Sequence, residues 1–211
     1  MSKQAQLERL YVITDRASAR QGLGPLQAVV EAALEAGARF FQLRDKERPA
    51  SETWQLGERL EPHFEEARAD FLVNDRADIA LGLGADGVHR PSTGLPVSAL
   101  REILGERSIV GVSTHDYDEA REAERAGADF VTLSPVFTSP SKPDYGPPLG
   151  LSTFETIARQ IEIPVYALGG ITPERTESCL DAGAHGVAVM SGIMAADHPR
   201  KATRAYLDAL H

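Results

Sequence analysis

Only one cysteine, Cys179, occurs in 211 residues, so no internal disulfide can form, and no Cys/His spacing of the zinc type is present. No apolar stretch is long enough to cross a bilayer, and the opening Met1-Ser2-Lys3-Gln4-Ala5-Gln6 lacks the apolar core of a secretion signal. Positive charge is in deficit too: 22 Lys and Arg face 31 Asp and Glu, for a formal net charge of −9. A surface of that sign repels nucleic acid and anionic membrane, so any anion binding has to sit in a local basic pocket. A Ser-His-Asp order and a nucleophile elbow are also missing. These absences point to a cytoplasmic protein that handles small molecules with neither nucleic acid nor membrane as partner, and they leave a homo-oligomer open.

What is present is a repeat. Four times a helix-like stretch ends in Gly-Ala and an apolar run follows: Gly37-Ala38, Gly84-Ala85, Gly127-Ala128 and Gly183-Ala184. A helix end needs a residue that tolerates positive φ, and Gly does so without a Cβ clash, while Ala lets the next strand start close by. Repeated helix-to-strand junctions mean βα units. Apolar runs at 10–13, 40–43, 71–73, 87–88, 109–112, 130–133, 165–168 and 186–189 read as eight strands. Amphipathic stretches at 25–36, 52–67, 77–83, 97–104, 117–126, 151–159, 173–182 and 198–210 read as eight helices, several opening on Pro. Eight alternations favour a closed (β/α)8 TIM barrel over an open sheet, and no linker divides residues 1–211, so a single domain is expected.

In such a barrel ligands sit at the carboxyl ends of the strands. Polar residues collect just there: Thr14 and Asp15, Gln42, Arg44 and Lys46, Asn74 and Asp75, His89, Ser113 and Thr114, then Ser139, Ser141 and Lys142. Gln42, Arg44 and Lys46 alternate along an extended chain, so they point the same way and make a cationic row suited to an anion. The run from Ser134 to Gly150 is too rich in Pro and Gly for helix or central strand, and its length suits a binding loop. Late in the chain, Gly169-Gly170 and Met190-Ser191 follow the last two strands, where small residues let backbone N–H groups approach a phosphate. His89 and His115 are weaker candidates for proton transfer, and Cys179 reads as a packing residue in a helix.

Taken in order, Tyr11-Val-Ile-Thr-Asp15, Gln42-Leu-Arg-Asp-Lys46, Val73-Asn-Asp-Arg76, Gly84-Ala-Asp-Gly-Val-His89, Gly111-Val-Ser-Thr-His115, the Ser134 to Lys142 loop, Ala167-Leu-Gly-Gly-Ile171 and Gly186-Val-Ala-Val-Met-Ser191 resemble the motifs of the thiamine phosphate synthase and TenI superfamily. The resemblance spans nearly the whole chain. It implies a (β/α)8 barrel that joins hydroxymethylpyrimidine pyrophosphate to a thiazole phosphate with Mg2+, releasing pyrophosphate. By the same resemblance Arg44, Lys46, Asn74 and Lys142 would grip pyrophosphate, with Asp75 ligating Mg2+. Gln42 and Ser113 would face the pyrimidine. Ser139, Ser141, Gly169, Gly170, Met190 and Ser191 would lie by the thiazole phosphate.

Three departures bear on that expectation. After His89 the family usually carries a Gln-x-Asp whose Asp is a second magnesium ligand, and the aligned residue here is Gly94. Loss of one carboxylate should weaken metal binding, and Asp15, Asp45 and Asp116 are the nearby acids that strand position offers instead. Two Thr of the long-loop motif are Ser139 and Ser141, which keeps the hydroxyls. The TenI-type thiazole tautomerase has a His near the start of that loop, where this chain has Pro135, and proline moves no proton. A synthase therefore ranks ahead of a tautomerase, and ahead of a catalytically impaired relative that only binds phosphate ligands.

Overall fold

The four Gly-Ala junctions share one backbone geometry. Gly37, Gly84, Gly127 and Gly183 have φ of 109, 65, 87 and 90°. The following Ala N–H then donates to a carbonyl in the last helical turn: Ala38 to Ala33 at 3.1 Å, and Ala85 to Ala80, Ala128 to Ala123 and Ala184 to Cys179, each at 3.0 Å. That closure satisfies the carbonyls a helix end leaves bare and turns the chain straight into the next strand. A fifth junction has the same form without glycine. Arg68 takes φ 54°, and Ala69 donates to Phe64 at 2.9 Å.

In this computed structural model, which describes residues 7–19, 25–46, 48–138 and 147–211, those junctions assemble a closed parallel barrel in the order β1-β2-β3-β4-β5-β6-β7-β8. The strands are β1 (Leu10–Ile13), β2 (Phe40–Leu43), β3 (Asp70–Asn74), β4 (Gly87–Arg90), β5 (Ile109–Thr114), β6 (Phe130–Leu133), β7 (Val165–Leu168) and β8 (Gly186–Val189). Tyr11 pairs with Phe40 on one side and Ala188 on the other, which closes the ring. The helices are α1 (Arg16–Ala19), α2 (Leu26–Ala36), α3 (Ala50–Ala67), α4 (Ala77–Leu83), α5 (Val97–Leu104), α6 (Tyr117–Arg125), α7 (Gly150–Ala158), α8 (Pro173–Asp181), α9 (Ser191–Met194) and α10 (Pro199–Asp208).

Differences from the sequence expectation have simple causes. Helices α1 and α9 are four residues each, shorter than a periodic pattern can reveal. Strands β3, β4 and β5 run on past their apolar pattern through Asn74, Arg90 and Thr114, because the ladder continues where the side chains turn polar. Pro25, Pro49 and Pro96 sit just before their helices, and Pro173 and Pro199 occupy the first turn, where a missing N–H costs nothing.

One apolar layer packs between strands and helices, and a second fills the barrel. Inside, Tyr11 stacks on Phe40 with ring centres 4.3 Å apart and meets Phe130 edge-on at 5.3 Å. Tyr166 joins them and donates its hydroxyl to the Glu8 carbonyl at 2.5 Å. Each such fully buried ring contributes about 2–3 kcal/mol of transfer free energy. Above that plug, at the carboxyl ends of the strands, the barrel opens into a cavity.

Candidate functional site

A cavity of about 210 Å³ opens on that rim. Strand ends supply its polar wall. Gln42, Arg44 and Lys46 reach it from the end of β2, Asn74 from β3, His89 from β4 and Ser113 from β5. Gly169, Gly170, Met190 and Ser191 line the opposite side, after β7 and β8. Ile13, Leu168 and Ala188 form an apolar floor. Nine of the sequence-derived site residues are thus gathered in one cavity; Ser139, Ser141 and Lys142 lie outside the described residues. Ser134, Phe137 and Thr138 also line it, from the start of the run expected to be a binding loop, and so does Ser92, which no pattern in the sequence distinguished from an ordinary loop residue.

Arg44 of the cationic row has an acid behind it. The Arg44 guanidinium lies 3.6 Å from Asp15, and its backbone N–H donates to Thr14 Oγ1 at 3.0 Å. Asp15 also accepts from the Ser18 N–H at 3.0 Å and from the Ser18 hydroxyl. Arg16 pairs with Asp45 at 2.5 Å. Thr14 and Thr114 are therefore structural: both are fully buried, and Thr114 donates to the Thr132 carbonyl at 3.1 Å.

Beneath the polar wall runs a buried chain of side-chain hydrogen bonds. Gln42 Nε2 donates to Tyr11 Oη at 2.9 Å, Tyr11 Oη lies 3.2 Å from His89 Nδ1, and His89 Nε2 lies 2.9 Å from Ser113 Oγ. Burial above all, and then the positive charge of Lys46, pulls the His89 pKa down to about 3. Burial also raises the Tyr11 phenol well above its ordinary range. His89 is accordingly a neutral positioning group rather than an acid poised for exchange. His115, the other histidine candidate, is tied to Glu119 through Nδ1 at 2.9 Å.

On the opposite wall the two glycines make room for a neighbouring loop. Gly169 has φ 98°, and a Cβ there would stand 2.8 Å from Pro135 Cα. Gly170 has φ 65°, and its Cβ would stand 2.6 Å from the Thr138 carbonyl oxygen. Val136 and Phe137 donate to the carbonyls of Leu168 and Gly169 at 2.9 and 3.0 Å, which extends the β6–β7 pairing onto the rim. The ends of the long connection are pinned together: Leu149 donates to Pro135 at 2.8 Å and Gly150 to Val136 at 3.1 Å. Arg175 locks the arrangement by donating to the Gly170 carbonyl at 2.6 Å while lying 4.6 Å over the Phe137 ring.

Asp75, the predicted metal ligand, is not among the residues that line the cavity; it follows the lining residue Asn74 on the turn after β3, with φ 64° and its N–H donating to the His89 carbonyl at 2.9 Å. Gly94 lies against it, in a turn closed by the Gly94 N–H to the Pro91 carbonyl at 2.9 Å. Among the described residues no group of three or more His, Cys, Asp or Glu is placed to hold a metal. The substitutes considered from the sequence are engaged elsewhere: Asp15 with Arg44 and Ser18, Asp45 with Arg16, and Asp116 as the cap of α6, accepting from the Glu119 N–H at 2.8 Å. Cys179 is buried in α8 with its thiol pushed up to about 11 by burial, which makes it a packing residue. No helix among the described residues is long and apolar enough to cross a membrane.

Comparison with known proteins gives a consistent result. Residues 10–193 match the family described as thiamine monophosphate synthase. The thiamine-phosphate synthase of Roseiflexus castenholzii is 46% identical over 199 residues, covering 94% of this chain and 86% of that protein. A putative thiamine-phosphate synthase of Geobacter sulfurreducens is 45% identical over 201 residues, covering 95% and 93%. Among solved structures, thiamine phosphate pyrophosphorylase from Pyrococcus furiosus superposes with a TM-score of 0.85 at 36% identity, covering 96% and 95% of the two chains.

Proposed function

The chain belongs to the thiamine monophosphate synthase family, and we propose that its rim cavity carries out that family's condensation with the residues gathered there. The reaction joins hydroxymethylpyrimidine pyrophosphate to a thiazole phosphate, giving thiamine phosphate and pyrophosphate. One closed ring draws its eight strands from Leu10 to Val189, which supports reading residues 1–211 as one domain. A cytoplasmic setting suits a chain with a lone buried thiol and no membrane-spanning helix among the described residues.

The chemistry asks more of electrostatics than of proton transfer. The bond between the pyrimidine methylene and pyrophosphate oxygen breaks, and the electron pair leaves with the pyrophosphate. The aminopyrimidine ring spreads the positive charge left behind, and the thiazole nitrogen then donates its lone pair to the methylene carbon. Arg44, Lys46, Asn74 and Lys142 hold the leaving pyrophosphate as its charge develops, so their attraction is worth more in the transition state than in the bound substrate. Gln42 and Ser113 orient the pyrimidine. Ser139, Ser141 and the backbone of Gly169, Gly170, Met190 and Ser191 hold the thiazole phosphate, fixing its nitrogen in line with the departing group.

Magnesium would be held by Asp75. One carboxylate suits Mg2+, which commonly takes one or two from the protein and fills its octahedron with water and substrate phosphate oxygens. When bound it neutralises part of the pyrophosphate charge. Pro135 lines the cavity where the tautomerase would need an acid–base side chain, which favours the synthase reading.

The observation that carries the proposal is one cavity bounded by the cationic row of β2 on one side and the two glycine turns on the other. Incubating the protein with both substrates and Mg2+ and following thiamine phosphate by chromatography is the test. Product formation supports the synthase. Thiazole phosphate binding without product would identify the impaired relative, and tautomerised thiazole the other enzyme.

A further inference from the structure

We propose that Tyr11 and His89 are positioning residues whose hydrogen-bond chain runs in one direction, from Gln42 to Ser113, and so makes the cavity specific for a 4-aminopyrimidine over its 4-oxo counterpart. The inference rests on the pyrimidine being the ligand of this wall, as proposed above. Its basis is proton counting. A phenol has one proton. Since Tyr11 Oη accepts from Gln42 Nε2, its own proton is directed to His89 Nδ1. A neutral imidazole also carries one proton, which must then lie on Nε2 and be donated to Ser113 Oγ. Burial keeps that imidazole neutral and that phenol protonated, so neither link can supply an extra proton.

Two consequences reach the cavity. Gln42 gives one of its two amide N–H groups to Tyr11, which fixes the amide with its nitrogen towards Tyr11 and its carbonyl oxygen turned away as the acceptor the wall presents. Ser113 accepts from His89, which leaves its own proton to donate. An aminopyrimidine edge offers the complementary pair, an exocyclic N–H donor beside a ring nitrogen acceptor. In the 4-oxo compound both are reversed, so its carbonyl would face the Gln42 oxygen. Gln42 can put its amide nitrogen where that oxygen stands only by turning the amide, and the turn requires the whole chain to reverse, with Tyr11 donating to Gln42 and His89 carrying its proton on Nδ1. The tautomer of His89 therefore reports the direction.

The first measurement needs no variant. In protein with ¹⁵N-labelled histidine, the imidazole resonances of His89 at neutral pH should show Nε2 protonated and Nδ1 bare; the opposite tautomer would overturn the proposal. The second uses Tyr11→Phe, which keeps the ring in its aromatic cluster and removes the link. The KM for the pyrimidine pyrophosphate should rise about tenfold, and discrimination against the 4-oxo analogue should fall about tenfold, the worth of one lost hydrogen bond. The KM for the thiazole phosphate should stay within about twofold, since Tyr11 does not touch that wall. A folded Tyr11→Phe protein with wild-type pyrimidine KM and wild-type discrimination would also overturn it. If the wild-type protein makes no thiamine phosphate, the functional reading fails on its own, and the His89 tautomer still decides the direction of the chain.

Discussion

Gly94 lies so close to Asp75 that a Cβ added to it would stand 2.9 Å from the Asp75 Oδ1. Gly94, the position that the resemblance aligns with a second magnesium carboxylate, is thus next in space to Asp75, the proposed ligand. Its φ lies outside the left-handed region, so a side chain there meets crowding rather than backbone strain. The crowding comes from side-chain carbons, Arg90 Cγ at 2.8 Å and Pro91 Cδ at 3.1 Å, together with the carboxylate itself.

Gly94→Asp should therefore fold and should lower the Mg2+ concentration that gives half-maximal activity, by about three- to tenfold for one added ligand. Gly94→Ala, which crowds without ligating, should not. Calorimetric titration of Mg2+ in the presence of pyrophosphate gives a readout independent of turnover. Equal magnesium affinity in wild type and a folded Gly94→Asp would mean that this position is not at the metal.

Removal of a cation proposed to grip the pyrophosphate should act on kcat. Arg44→Ala should lower kcat about 100-fold or more, with a smaller change in KM, because the missing attraction grows as the bond breaks. Lys142→Ala should act in the same sense. Asp15→Asn should have a milder effect of the same kind, since Asp15 lies 3.6 Å from the Arg44 guanidinium and orients it. Steady-state kinetics with full kcat in Arg44→Ala would remove this residue from the chemistry.

Much of this was legible in the sequence because the fold repeats its punctuation. Four Gly-Ala pairs marked four helix ends, whereas the fifth, at Arg68-Ala69, was invisible because its left-handed residue is not glycine. The same asymmetry governs the site. Arg44, Lys46 and Asn74 stood out as polar residues past strand ends, and they line the cavity. Thr14 and Thr114 stood out equally and turned out to be buried braces, since a strand-end hydroxyl looks alike in sequence whether it meets ligand or backbone. Tyr11 was missed altogether. It sits inside an apolar strand run, and only the contacts with Gln42 and His89 reveal its hydroxyl as part of the site.

The glycine turn after β7 serves two masters, and substitution should show both. Gly169→Ala adds a Cβ at φ 98° and 2.8 Å from Pro135 Cα, so it should cost about 1–2 kcal/mol of stability from backbone strain alone. Because Pro135 belongs to the rim, the KM for the thiazole phosphate should rise as well. Denaturant unfolding beside kinetics separates the two effects. Unchanged stability would show that the rim yields freely to the added methyl, contrary to the packing described.

Acid should reveal two buried groups that oppose each other. Asp70, at the start of β3, has its pKa raised to about 6 by burial first and then by the negative charges of Asp86 and Glu8. The folded state thus binds a proton more readily than the unfolded chain, and this group's contribution to stability grows as pH falls from about 6 towards 3.8. His89 works the other way: its folded pKa of about 3 lies below the ordinary histidine value of 6.5, so protonation of the unfolded chain erodes stability as pH falls between those values. Asp70→Asn removes the first effect and leaves the second. At pH 7 it should stabilise the protein by about 1 kcal/mol, a figure reduced from the full linkage value because Asp70 is only half-buried and water screens it. Its stability should then decline more steeply than wild type between about pH 6 and pH 4, the window in which Asp70 no longer compensates. Urea midpoints at pH 7, 5.5 and 4 measure both, and a variant no more stable than wild type at pH 7 would show that Asp70 is not held under electrostatic strain.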